Sequence, residues 1–268
     1  MTSVPQNILL VVASAVAGAI NSVAGGGTLL TFPALVYAAG VSALVANATS
    51  TAALWPGQLS SLYGFRREIR QNLVSILPLI GIGLAGGAGG AGLLLRTDPG
   101  VFARLVPFLV LVATVLFIAQ EPLARWQRAR AAVGAVRDDQ ATENAPRELR
   151  LTAPVGLFLF GIALYGGYFG AGIGILTLAA FGFLGLTDIH QMNGIKAAFT
   201  LGINGVAAVL FVTQGLVDWR IAGMMAVGSI FGGYAGAGIA KRIGQKNVRR
   251  VVIAIGLLLT LSLLTNHK

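Results

Sequence analysis

The chain has no cysteine and only two histidines, His190 and His267, in 268 residues. The first absence excludes disulfides, thiol redox chemistry and thiolate metal sites, and two distant imidazoles do not make a metal cluster. Charge is scarce as well, at 10% of residues, where a soluble domain carries roughly 25%. No Asp, Glu, Lys or Arg precedes Arg66, and none falls between Arg150 and Asp188. Hydrophobic residues make up 56% of the chain. A water-soluble fold of this size would lack polar surface, so the composition predicts an all-α integral membrane protein, buried in the lipid bilayer. The first residues, MTSVPQ, lack the basic region of a secretory signal, so the first apolar stretch is expected to remain in the membrane.

What charge there is leans positive, with a formal net charge of +10. The basic residues sit in short loops beside apolar runs, where they orient helices toward the cytoplasm. No nucleic-acid partner is expected from such a distribution.

The chain repeats itself. A shift of 146 residues carries Gly86, Gly87, Gly90 and Gly92 onto Gly232, Gly233, Gly236 and Gly238. It also carries Asn47 onto Asn193, Ser50 onto Lys196, Gln58 onto Asn204 and Arg104 onto Arg250. A second glycine cluster recurs with one residue of slippage, AGGGTLL at 24–30 against AGIGILT at 171–177. An apolar chain built as two copies, each with an interrupted hydrophobic segment, is the signature of a secondary transporter. The division is residues 1–120 for the first transmembrane repeat, 121–150 for a polar cytoplasmic linker and 151–268 for the second repeat.

Apolar runs at 42–65, 73–95 and 102–120 are each long enough to cross ~30 Å of hydrocarbon, and their counterparts are 189–216, 221–240 and 251–266. Each copy opens differently. Residues 7–24 are apolar, GGG interrupts at 25–27, and a run too short to span follows; the second copy has 151–169, a break at 170–174 and then 175–187. The expected form is a broken or re-entrant helical hairpin with a glycine tip inside the membrane, where irregular backbone needs protein or an aqueous cavity around it.

If each hairpin returns to its own side, or both arms cross, three further spans per copy make the second repeat inverted relative to the first. Arg66, Arg67, Arg70, the six Arg between 125 and 150, and Lys241, Arg242, Lys246, Arg249 and Arg250 then share one side, against Arg96, Arg104, Arg220 and Lys268. If each hairpin counts as one crossing, the repeats are parallel and the split becomes 11 against 7. The positive-inside rule prefers inverted repeats.

Lys196 is the sharpest single residue, the only Lys, Arg, Asp or Glu between Asp188 and Asp218. Counted from a helix start near 188 it lies about 12 Å deep, close to the bilayer middle. A charge there is costly and marks function by default, although a lysine neutralised by its environment is the plain alternative. Asn193, Lys196, Thr200 and Asn204 follow one another at helical spacing on one face. Asn47, Ser50 and Gln58 form the matching face in the first copy. Interhelical hydrogen bonding is the competing use for these amides and hydroxyls.

The glycine tips suit an anion. A helix beginning around Thr28, just after Gly25, Gly26 and Gly27, would present N–H groups and the positive end of its dipole. Gly170, Gly172 and Gly174 would aim at the same centre from the opposite side. The remaining glycine rows are small-xxx-small patterns for close helix packing.

The AlvANATS stretch (43–50), the GGG-to-Pro33 segment and the N-x-x-K of Asn193 and Lys196 together resemble the sulfite exporter TauE/SafE family, over nearly the whole chain outside 121–150. The resemblance implies a multi-pass permease of the bacterial cell inner membrane for small sulfur-containing anions such as sulfite, sulfonates or sulfoacetate, usually as an exporter. It maps the family's glycine motif onto Gly25, Gly26, Gly27 and Pro33, and its second-copy Asn and Lys onto Asn193 and Lys196. The second glycine motif departs from the first at Ile173 and Ala180. The lack of cysteine argues against related thiosulfate-uptake proteins that look to use intramembrane thiols.

The expectation is therefore a secondary active transporter, not an enzyme, with no cofactor. Its anion would sit between the glycine tips, Lys196 and the paired amide faces. Asp188 and His190 are candidates for proton coupling, with an interfacial structural role as the alternative. A passive anion channel, lacking saturable counterflow, and a membrane enzyme or cofactor-binding subunit are the competing readings. The sequence leaves the coupling ion and the oligomeric state open.

Overall fold

In a computed structural model, residues 3–23, 25–137, 151–186, 188–243, 253, 254 and 257 are described, and no strand occurs among them. The helices are α1 (Val4–Val23), α2 (Thr28–Pro33, continued by a π-helical stretch Ala34–Ala38), α3 (Ala43–Gly64) and the short α4 (Arg66–Gln71). They continue as α5 (Leu73–Arg96), α6 (Pro99–Arg137), α7 (Ala153–Tyr168), α8 (Ile173–Phe183), α9 (Ile189–Thr213) and α10 (Trp219–Ile243).

Both expected hairpins are present, as α1–α2 and α7–α8. The returning arms, Thr28–Ala38 and Ile173–Phe183, reach only about 16 Å at 1.5 Å per residue. Pro33 has no N–H to give to the helical ladder, and the helix widens into its π-helical stretch directly after it. Among the described residues, four helical stretches are long and apolar enough to cross a membrane: Val4–Ser22, Ile76–Arg96, Pro99–Ala119 and Ile189–Thr213. Helix α3 is as long, but Asn47, Thr49 and Ser50 are buried along it, so its polar stripe faces protein rather than lipid. The expected span at 251–266 lies almost wholly outside the described residues.

One expectation needs correction. The segment 121–137 is not loop: α6 runs on unbroken to Arg137. Its 39 residues reach about 58 Å, so helical propensity carries it well beyond the apolar part. Residues 138–150 lie outside the described residues.

Side chains fix where helices start. Ser42 accepts from Val45 N at 3.4 Å to cap α3, Asp98 accepts from Gly100 N at 2.8 Å ahead of α6, and Asp218 accepts from Ile221 N at 3.1 Å at the head of α10.

The two copies exchange partners. Helix α1 packs along α10, and α7 packs along α5. The glycine rows of α5 and α10 make these contacts: Gly232 meets Ala15 and Gly236 meets Ala19 and Ser22, while Gly86 meets Ala163 and Gly90 meets Leu164 and Tyr168. In each pair both numbers rise together, so the paired helices run in the same direction. The third helices do the same: Gly57 and Ser61 of α3 meet Ser229 and Gly233 of α10, and Phe199 and Ile203 of α9 meet Gly83 and Gly87 of α5. Helices α3 and α9 cross each other at the centre in opposite directions. Asn72, after α3, accepts from Gln191 Nε2 at 2.7 Å; Trp55 Nε1 donates to Leu201 O at 3.2 Å midway; and Asp218 N, after α9, donates to Thr49 Oγ1 at 3.1 Å.

Candidate functional site

The first tip turns on Gly25 and Gly26, whose φ values of +87° and +97° lie in the left-handed region that side chains avoid. Gly25 N donates to Ile20 O at 3.0 Å, which closes α1, and α2 starts at Thr28 as expected. The tip differs from expectation in one respect. Gly27 N is not free for a ligand but donates to Asn21 Oδ1 at 2.8 Å. Leu29 N and Leu30 N are also taken, by Gly26 O and Gly27 O at 3.0 and 2.9 Å. Among the described residues, the N–H groups of Gly26 and Thr28 have no protein acceptor.

Lys196 meets this tip from the other copy. Its side chain is 2% exposed, and Nζ donates to Asn193 Oδ1 at 2.8 Å and to Asn21 O at 3.3 Å. Asn21 O belongs to the last turn of α1, where carbonyls lack helical donors and the dipole is negative. Asn21 thus holds the lysine by its carbonyl and the glycine tip by its side chain. Both of the lysine's partners are neutral oxygens, and no ion pair to it occurs among the described residues. An ammonium has three donors, so one is left over. Thr200, expected on the same face, spends its hydroxyl on Lys196 O at 2.9 Å.

Ser50 reaches the same hairpin: its Oγ lies 2.6 Å from Thr31 Oγ1, and both residues are fully buried. Gln58 lies further along α3 with its Oε1 buried and unpartnered.

The second tip turns on Gly170 and Gly172, at φ +74° and +77°. Gly170 N donates to Tyr165 O at 3.4 Å, the same five-residue return that Gly25 makes to Ile20. The helix bounds around the tips therefore correspond at a shift of 145, Val23 and Thr28 against Tyr168 and Ile173, but the left-handed residues fall differently, at Gly25 and Gly26 in the first tip and at Gly170 and Gly172 in the second. The chain's return to the helix sets the correspondence, and Gly174 falls inside the first turn of α8. Asn47 Nδ2 donates to Tyr168 O at 3.2 Å, and its Oδ1 is buried without a partner. A Cβ on Gly170 would lie 3.7 Å from Asn204 Oδ1.

The tips touch. A Cβ on Gly25 would lie 2.6 Å from Gly174 Cα. Phe32 of α2 and Phe169 of the second tip stack edge to face, with ring centroids 5.5 Å apart. Helix α6 closes one side, with Phe117 against Gly26 and Ala113 against Gly172. The expected residues thus divide into two clusters. Gly25, Gly26, Gly27, Ser50, Asn193 and Lys196 gather at the first hairpin, and Gly170, Asn47 and Asn204 at the second.

Asp188 and His190 are not among them. Both are exposed at the start of α9, where Asp188 Oδ1 accepts from His190 N at 2.8 Å, so Asp188 caps the helix. Sequence reasoning missed Asn21, Thr31 and the Tyr168 carbonyl. Asn21 was detectable as the one amide between Asn7 and GGG, four residues before the glycines; the backbone carbonyl left no trace in the sequence.

Long apolar helices packed around broken hairpins fit a membrane transporter, and comparison with known proteins gives that class. The model of the family described as "Sulfite exporter TauE/SafE" matches residues 10–263, so the chain belongs to that family of membrane transporters. It is similar to a "Probable membrane transporter protein ORF9" of Sinorhizobium sp, 30% identical over 265 residues, covering 96% of this chain and 92% of the relative. A "Probable membrane transporter protein" of Haemophilus influenzae is 27% identical over 252 residues, covering 91% and 89%. The "Probable membrane transporter protein YfcA" of Escherichia coli is 28% identical over 252 residues, covering 92% and 86%. No solved structure matches.

Proposed function

We propose that the protein is a secondary active transporter that exports small sulfur-containing anions, such as sulfite, sulfonates or sulfoacetate, across the bacterial inner membrane. One observation carries the anion: Lys196 is buried seven residues into α9 and, among the described residues, is held only by neutral oxygens. A buried ammonium without a carboxylate partner favours an anionic ligand over any neutral one. The Gly25–Gly27 and Gly170–Gly174 tips, with Thr28, Asn47, Ser50, Gln58, Asn193 and Asn204, would line or frame the site around it. Exposure of Asp188 and His190 at a helix start gives proton coupling there no support.

Helix directions support inverted repeats. Helices α1, α3 and α10 run one way, and their counterparts α7, α9 and α5 run the other. The contact between tips then falls near the bilayer midplane, where transporters with broken helices bind their cargo.

The test is sulfite counterflow in proteoliposomes. Wild-type protein should show saturable exchange, and Lys196→Met, which keeps the apolar stem, should fold and bind but about tenfold to a hundredfold more weakly, the loss of one charge-assisted bond. Unsaturable flux would instead identify a channel. A folded Lys196→Met protein exchanging sulfite at the wild-type rate would remove the lysine from the site.

A further inference from the structure

The two hairpins present the same feature to the core helices and receive different answers. At the end of α1, the carbonyl of Asn21 faces an ammonium tethered to α9, that of Lys196. The residue aligned with Lys196 in the first copy is Ser50, whose hydroxyl is engaged by Thr31. Among the described residues, the end of α7 therefore receives no tethered cation. It gathers oxygen instead. Asn47 is 1% exposed; its Nδ2 is fixed on Tyr168 O, which leaves its Oδ1 at the helix end, buried and unpartnered. Asn204, 8% exposed, brings its Oδ1 beside Gly170, and Gly166 O lies on the same side, 3.1 Å from where a Gly170 Cβ would be. Because Gly170 N returns to Tyr165 O, the Gly166 carbonyl receives no helical donor.

We propose that this end of α7 binds a monovalent cation of sodium size, held by Asn47 Oδ1, Asn204 Oδ1 and the carbonyls of Gly166 and Tyr168. A C-terminal helix end carries partial negative charge and uncommitted lone pairs, and an orphaned buried carbonyl oxygen needs a donor or a cation. Every ligand is a neutral oxygen, which suits a single charge; a calcium or magnesium site would recruit carboxylates. In pseudo-symmetric terms the mobile cation does for α7 what Lys196 does for α1. The inference extends the transport reading. A positive charge here would strengthen anion binding beside Lys196, and the anion would strengthen cation binding by the same factor. The sodium gradient then becomes one term of the driving force, and its sign in vesicles separates uptake from export.

The site is tested without the anion, by thermal unfolding of the purified full-length protein in sodium, lithium, potassium or choline chloride at equal ionic strength. Sodium should raise the transition temperature in a saturable way and choline should not, because only a ligand of the folded state stabilises it. Asn47→Asp should tighten sodium about tenfold by adding ligand charge, and Asn204→Leu should weaken it by a similar factor. Ser50→Lys, supplying a tethered ammonium in the lysine's symmetric place, should abolish the sodium response; should that chain fail to fold, the Asn47 and Asn204 variants decide. Equal stability in sodium and choline, or a sodium shift that both Asn variants leave unchanged, overturns the proposal. The two readings fail separately. Sulfite binding without a sodium shift removes the cation site alone, and a sodium shift in a protein indifferent to sulfite, with Lys196→Met keeping or enlarging it, removes the anion reading alone.

Discussion

Asn21 carries two duties through one residue, and that makes it a sharper probe of the tip than the lysine itself. Its carbonyl holds Lys196 and its side chain satisfies Gly27 N. Asn21→Ala keeps the first contact and orphans the second, at a cost of about 1–3 kcal/mol for an unsatisfied buried N–H. Thermal unfolding should therefore show a loss of that size, and sulfite affinity should fall with it because the tip loosens. An unchanged transition would mean that water reaches Gly27. Lys196→Arg tests a different property. A planar guanidinium cannot place donors on Asn193 Oδ1 and Asn21 O as a compact ammonium does, so counterflow should recover poorly although the charge is restored. Lysine was legible from sequence because a lone charge in an apolar run is conspicuous. Its partners were legible only in part: Asn193 stands three residues away on the same helix, whereas Asn21 is brought in by tertiary packing across 175 positions.

Hairpins were the most legible elements, since glycine runs interrupt apolar stretches in only a few physical ways. Their boundaries, α1 ending at Val23 and α2 starting at Thr28, follow from the triple glycine. The second hairpin was read two residues away from the correspondence of the helix bounds because letters were matched, and where a helix ends and resumes cannot be seen in glycine letters alone. The extension of α6 past residue 120 was missed for another reason: a polar, alanine-rich stretch is compatible with both helix and loop, and composition alone does not choose. Tip geometry makes a graded prediction. Gly25→Ala meets both a left-handed φ and the Gly174 backbone. Gly40→Ala meets a left-handed φ of +67° with nothing within 4 Å. The latter should cost about 1–2 kcal/mol, the strain alone, and retain counterflow. The former should destabilise by clearly more and abolish counterflow, because the two tips can no longer touch. Equal transition temperatures for the two variants would show that the tips stand apart in the membrane.

At the scale of the whole molecule, single-cysteine labelling is clean because the chain has no cysteine of its own. Inverted repeats predict that cysteines at Arg70 and Lys246 react from the cytoplasmic side of intact cells, and that those at Thr97 and Gln214 react from outside. Labelling of positions 70 and 246 from opposite sides would end the inverted arrangement. The exchange of partners between copies also governs how the protein is made. Helix α1 leaves the ribosome long before the helix it lies along, α10, which comes after residue 218. At roughly 5–20 residues per second, α1 waits on the order of 10–40 s in lipid with its small-residue face uncovered. Over that interval nothing made so far can complete the first repeat, and a nascent chain stalled in the linker would offer quality-control proteases an unfinished membrane protein. Two separately encoded halves should therefore accumulate only when expressed together, each acting as the other's assembly factor.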